Sequence, residues 1–160
     1  MMPATRIVCR VVEICCFRFR NSLPEYLLLQ RSPRDEIYPN LWQLVSGTIG
    51  DGESALAAAQ REFREETGLV PVHFWTAPYV SSFYDHTDDA VNLCPFFVAQ
   101  VQPSSVPTLS PEHQLFEWLP RDAARRKLVW PGQRQGLDVV NDYVVSGEWA
   151  GLLTRITPKQ

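Results

Sequence analysis

Three of the four glutamates in the segment GTIGDGESALAAAQREFREETGL, which runs from Gly47 to Leu69, crowd its second half. On a helix turning about 100° per residue, Glu62, Glu65 and Glu66 gather on one sector, because spacings of three and four bring side chains together. Leu56, Ala59 and Phe63 fall in a neighbouring apolar sector that faces a core. Like charges on one helical face repel by about 0.2–0.5 kcal/mol per pair, and Arg61, one turn before Glu65, offsets part of this. A hard divalent cation offsets more, since Mg²⁺ takes oxygen ligands and is usually held by a few carboxylates together with substrate phosphates. The chemistry on offer is metal-assisted work on a phosphate. An isolated E-x-x-E-E is more often a solvated helix surface, so the spacing of the whole segment has to decide.

The elements that position these residues are legible around them. Ser54 can cap a helix over residues 54–67 by accepting a hydrogen bond from a free N–H of the first turn. Alanines at 55, 57, 58 and 59 favour it, and Gly68 can end it in a left-handed conformation. Ala55 and Ala58 extend the acidic sector, and their methyl groups leave space for a substrate or the preceding loop. That loop, residues 47–52, carries three glycines but lacks the G-K-[ST] ending of a phosphate-binding P-loop, which makes a kinase or ATPase reading a poor one. Upstream, residues 5–19 and 26–30 read as strands with a turn at 21–25, and 41–45 as a short apolar segment. Downstream, 70–84 and 90–101 read as strands, with Asp88 and Asp89 marking the turn between them. Residues 102–111 hold Pro103, Pro107 and Pro111 and read as a loop. A short strand at 116–119, a helix starting at 121–126 and a closing helix at 133–145 complete an α/β pattern. No repeat or linker divides residues 1–160, which are expected to form one domain.

Composition narrows the function classes. A hydrophobic fraction of 45% and a charged fraction of 21% are those of a soluble globular chain. No apolar run is long enough to cross a bilayer, and arginines interrupt the N-terminal stretch, so neither a membrane anchor nor a secretory signal is expected and the protein is placed in the cytoplasm. The net charge of −3 offers no broad basic surface for long nucleic acid. Cys9, Cys15, Cys16 and Cys94 form no C-x-x-C pair and are expected as small buried residues, with Cys15 and Cys16 on opposite faces of a strand. His73, His86 and His113 lack zinc-ligand spacing.

The spacing of the segment resembles the Nudix box, G-x5-E-x7-R-E-U-x-E-E-x-G-U, where U is a bulky aliphatic or similar residue. Gly47, Glu53, Arg61, Glu62, Phe63, Glu65, Glu66, Gly68 and Leu69 fill its specified places; Phe63 is aromatic where an aliphatic residue is usual. Leu41 to Gly47 is similar to the W-x-x-x-[SPG]-G lead-in common in the family, with Ser46 where many members carry a second glycine. The resemblance implies a Nudix α/β/α sandwich with a mixed central sheet and a loop–helix–loop metal platform. It implies that Glu62, Glu65 and Glu66, with the backbone carbonyl near Ser46 or Gly47, bind Mg²⁺ or Mn²⁺. Arg61 and Glu53 orient those ligands by hydrogen bonding. The cation neutralises the diphosphate and acidifies a water that attacks phosphorus.

A further carboxylate often precedes a late strand in this family, and Glu112 is the candidate here, as ligand or base, set against a plain surface glutamate. Glu117 reads as structural. Trp130 to Arg134 is similar to bacterial members acting on deoxyribonucleoside or pterin triphosphates. Arg31 could contact a phosphate, with a surface role as its rival. Tyr38, Trp42, Phe83, Tyr84 and Trp130 offer faces for a base, with core packing the simpler account of each; Trp42 and Tyr84 join Arg31 as candidate substrate contacts. The expected function is a Mg²⁺-dependent pyrophosphohydrolase acting on a nucleoside triphosphate or similar small nucleoside-diphosphate compound. Dinucleoside polyphosphate or nucleotide-sugar hydrolysis, a nucleotide sensor without activity, and an isomerase on the same fold are the alternatives. Homodimers are common among similar proteins, and the oligomeric state stays open.

Overall fold

The chain buries its most apolar strands on both faces, so they read as unbroken apolar runs rather than as an alternation. The computed structural model describes residues 4–157. Its strands are Arg6–Val8 (β1), Val11–Arg20 (β2), Leu23–Arg31 (β3), Trp42–Gln43 (β4), Val45–Thr48 (β5), His73–Asp85 (β6), Ala90–Gln100 (β7) and His113–Leu119 (β8). Its helices are Ala55–Thr67 (α1), Arg121–Lys127 (α2), Pro131–Val139 (α3) and Ala150–Leu153 (α4), with a π-helical stretch at Val140–Val145 continuing α3. All eight strands join one mixed sheet in which β7 runs parallel to β1 and β2, while the other pairings are antiparallel. Among the described residues no helix is long and apolar enough to cross a membrane.

Alternation along β2 sorts the core into two layers. Val12, Ile14 and Cys16 pack with Leu27, Leu29, Ala59 and Phe63 beneath α1. Cys15 and Phe17 pack with Tyr26, Leu28, Leu128, Leu137 and Val140 beneath α2 and α3. The two adjacent cysteines therefore enter opposite layers, as expected. Cys15, Cys16 and Cys94 are buried and unpaired, whereas Cys9 is exposed, a correction to its expected burial.

Local signals set α1. The Ala57 N–H donates to Ser54 Oγ at 3.1 Å, and Gly68 closes the helix at φ 65°. Ala58 departs from expectation: it is fully buried in the layer under α1, and Ala55 packs against that layer. No open space lies above the Ala58 methyl group, because the helix turns that flank into the sheet.

Other boundaries move for tertiary reasons. The first expected strand breaks at Cys9 and Arg10, where the Arg10 carbonyl accepts the Ile49 N–H at 2.8 Å. The β2–β3 turn shrinks to Asn21 and Ser22, both at positive φ (49° and 63°), the geometry that suits a two-residue hairpin. β8 starts at His113, three residues earlier than expected, by pairing with Arg31. α3 begins at Pro131, which fits a first helical position because its missing N–H would have no partner there. The segment after α4 adds to the edge of β6 through Thr76 N–H to Thr154 O (3.0 Å) and Ile156 N–H to Phe74 O (2.8 Å).

Candidate active site

The carboxylates of α1 meet the loop that follows β5 through a single arginine. Arg61 clasps Glu53 with two hydrogen bonds, Nε to Oε1 and Nη2 to Oε2, each 2.8 Å. Its Nη2 also donates to the Thr48 carbonyl at 2.9 Å, while Nη1 donates to Glu62 at 2.9 Å and Glu65 at 3.1 Å. Glu53 accepts the Gly50 N–H at 2.9 Å and so ties loop to helix from the loop side. Hydrogen bonds from Arg61 hold the Glu53 carboxyl down at about 2, and the same contacts push the Arg61 pKa up.

Gly47 is required by close approach. A Cβ there would lie 2.1 Å from the Glu62 carboxyl carbon, so only glycine lets that carboxylate lie against the β5 backbone. Glu66 sits one helical turn on, 3% exposed, with Oε2 buried and unpartnered. Burial, then the charges of Glu112 and Glu62, push its pKa up to about 9; the Ser46 N–H and the Arg31 charge pull the other way. A buried acid facing two others is a group that a cation would strongly stabilise in its charged form.

The remaining expected residues fall into two groups. Glu112, exposed just before β8, has its backbone carbonyl fixed by the Ser32 N–H at 2.8 Å, and its charge bears on Glu66. Arg31 also lies within electrostatic reach of Glu66, anchored to Asp35 at 3.1 Å and to the Ile37 carbonyl at 3.1 Å. Trp42 and Tyr84 do not join them. Trp42 packs in the layer under α2 and α3, and the Lys127 ammonium lies 4.2 Å from its ring centroid. That lysine pairs with Glu117 at 2.6 Å, which gives Glu117 its structural place. Tyr84 stands at the far end of β6, where its hydroxyl donates to Asp89 at 3.0 Å. Among the described residues, no three carboxylate, imidazole or thiol side chains form a ready cage for an ion; Arg61 holds Glu62 and Glu65 in its own hydrogen bonds.

Two polar groups, one buried and one half-buried, escaped the sequence reading. His113 is 6% exposed, with Nε2 3.2 Å from Gln43 Nε2, and burial lowers its pKa to about 4. On the opposite side of the sheet from α1, Glu13 accepts hydrogen bonds from Ser81 Oγ (3.0 Å) and Gln133 Nε2 (3.2 Å). One signal for Glu13 was present in the sequence, an acid inside the apolar run VVEICCF of β2.

Comparison with known proteins bears on the family and the fold. The pattern of the NUDIX domain matches residues 10–140. A Myxococcus xanthus protein named octanoyltransferase is 31% identical over 133 residues, covering 79% of this chain and 35% of that protein. Dihydroneopterin triphosphate diphosphatase of Escherichia coli K12 is 38% identical over 60 residues, covering 38% of this chain and 37% of that enzyme. The chain thus spans about a third of the length of each of these relatives. A crystal structure of a C. elegans Ap4A hydrolase binary complex superposes with a TM-score of 0.72 over 87% of this chain and 99% of that one, at 20% identity, a likeness of fold.

Proposed function

Because the chain belongs to the Nudix family, we propose that it is a Mg²⁺-dependent pyrophosphohydrolase that splits the diphosphate linkage of a nucleoside triphosphate, or of a similar nucleoside-diphosphate compound, through attack of water on phosphorus. The observation that carries this reading is the buried, unpartnered Oε2 of Glu66, set between the charges of Glu62 and Glu112. The Arg31 charge and the Ser46 N–H offset burial and the neighbouring acids only in part, and hard oxygen donors are what Mg²⁺ takes. The residues therefore fit the cation: Glu62, Glu65 and Glu66 would hold it, with the Gly47 carbonyl and Glu112 as further oxygen donors. When bound, it supplies charge neutralisation for the diphosphate and a more acidic water.

The chain's own groups do the positioning. Arg61 and Glu53 fix the loop against α1, so that Glu62 and the β5 backbone keep their mutual place. The Glu65 carboxylate is exposed and held by a single 3.1 Å contact, which makes it the easiest of the three to turn toward a ligand. Arg31, whose charge reaches Glu66, would meet a substrate phosphate. The dihydroneopterin triphosphate diphosphatase relative supports a triphosphate substrate; the likeness to an Ap4A hydrolase keeps dinucleoside polyphosphates as the second reading. A cytoplasmic setting is supported by the four unpaired cysteines.

The test measures phosphate and pyrophosphate release from nucleoside triphosphates, a pterin triphosphate, dinucleoside polyphosphates and nucleotide sugars with Mg²⁺, beside calorimetric titration of Mg²⁺. Glu65→Gln is expected to lower turnover on the order of 10²–10³-fold and to weaken Mg²⁺ binding. Tight nucleotide binding without turnover of any compound would overturn the reaction and identify a sensor.

A further inference from the structure

The outer edge of β6 is left open along its second half. From Val80 to Asp85 the strand pairs with β7, and among the described residues no strand pairs with its other edge there. The first half is guarded. The segment after α4 covers Phe74 to Thr76, and the register then shifts between Thr76 and Val80, a stretch that contains Pro78. Irregular register and proline are devices that keep an edge from pairing with another chain. Past Val80 that protection stops. The run Val80–Tyr84, VSSFY, has no charge and no proline and keeps a regular register. Val80, Ser82, Phe83 and Tyr84 are all exposed. Neighbouring strand residues point to opposite faces, so Phe83 and Tyr84 leave both faces of this edge uncovered.

An edge of this kind takes another extended strand, and its own copy fits it. When two identical strands pair antiparallel about a two-fold axis, opposed residues must share a face, so their numbers add to a constant even sum. With Ser82 on the axis, Val80 meets the partner's Tyr84 and Ser81 meets the partner's Phe83. Each aromatic ring then lies opposite a smaller side chain, and the Val–Tyr pair is of the aromatic–β-branched kind that stabilises sheets. No charged residue lies between Phe74 and Tyr84, so the axis brings no like charges together. α4 stands beside the guarded end of the same edge and adds Trp149, Leu152 and Leu153. These three, with Val80, Phe83 and Tyr84, are each exposed by half or more. Together they offer roughly 700 Å² per copy, close to the ~800 Å² that each partner contributes to an interface of standard size.

We infer that this edge is a homodimer interface: two copies of the chain join β6 to β6, antiparallel about an axis at Ser82, so that one sheet runs through both. The interface lies apart from the carboxylates of α1 and does not depend on the reaction proposed for them.

Sedimentation equilibrium of the intact chain tests it. The wild type is expected to be a dimer at about 0.1 mM. Ser82→Lys, which sets two ammonium groups on the axis at an exposed position, is expected to weaken dimerisation about tenfold or more while circular dichroism stays unchanged. Leu23→Lys, exposed on β3 across the sheet, is expected to keep the dimer. The register is read separately, in a Cys9→Ser background that removes the exposed thiol. Oxidised glutathione is expected to link Ser82→Cys copies by a disulfide, since directly opposed residues hold their Cβ atoms about 4.5–5.5 Å apart, and to leave Leu23→Cys unlinked. A dimer that survives Ser82→Lys, equal loss in Leu23→Lys, or no cross-link at Ser82→Cys would overturn the assignment. So would a wild-type monomer, which would leave the edge to an extended segment of a different protein.

Discussion

The two faces of the sheet handle buried acid in opposite ways. Under α1, Glu53, Glu62 and Glu65 share one arginine, and Glu66 beside them keeps one oxygen, Oε2, without a partner. Under α3, Glu13 sits alone with a hydroxyl and an amide. Clustered acids around one guanidinium suit a ligand that brings more positive charge, whereas for the acid among neutral donors burial raises the pKa and the donors offset it only in part. Each face also holds one glycine against a large side chain: Gly47 against Glu62, and Gly136 with its Cβ position 2.2 Å from Phe96 Cζ.

The largest expected effect lies in pH. Glu66 titrates at about 9 in the fold against 4.5 in an unfolded chain, so the folded state holds its proton more tightly. That contribution to stability is complete below about pH 4.5 and is lost as pH rises through 9, with a slope of up to about 1.4 kcal/mol per pH unit. Thermal melting of metal-free protein should therefore fall between pH 5 and pH 9, while Glu66→Gln flattens the trend. Mg²⁺ should restore stability most at the alkaline end, and a flat wild-type profile would erase the contrast between the faces.

Gly47→Ala comes next. The added methyl displaces the Glu62 carboxylate, and Mg²⁺ affinity measured by calorimetry should fall roughly 10–100-fold. Wild-type affinity in this variant would mean that Glu62 is not a ligand. Gly136→Ala acts on the other face and should cost about 1–3 kcal/mol through overpacking against Phe96. Denaturant unfolding reads that loss, and Mg²⁺ affinity should stay at the wild-type value. A drop in metal binding here would show that the faces are coupled. The smallest effect belongs to Ser54→Ala, which removes the cap of α1 and should lower unfolding stability by about 1 kcal/mol.

What the sequence disclosed was local. Ser54, the alanines and Gly68 set α1 within one stretch of chain, and the spacing from Glu53 to Glu66 put the acids on one side of it. Glu13 depends on partners 68 and 120 residues away, so its acid in an apolar run was visible while its meaning was not. Ala58 followed the same logic in reverse: helical geometry put it beside the acids, but only the sheet's position shows that this flank is covered. The break before β2 and the late pairing of Thr154 and Ile156 with β6 likewise arise from contacts between distant segments.

The Arg61 clasp bears on the order of events in the life of the protein. Small zinc modules collapse when stripped, because nothing but the ion reconciles their ligands. Here a built-in guanidinium already sits among three of the acids and joins them to the loop. The chain can therefore finish folding without an ion, and binding of the proposed cation would be a change of partners at a finished site.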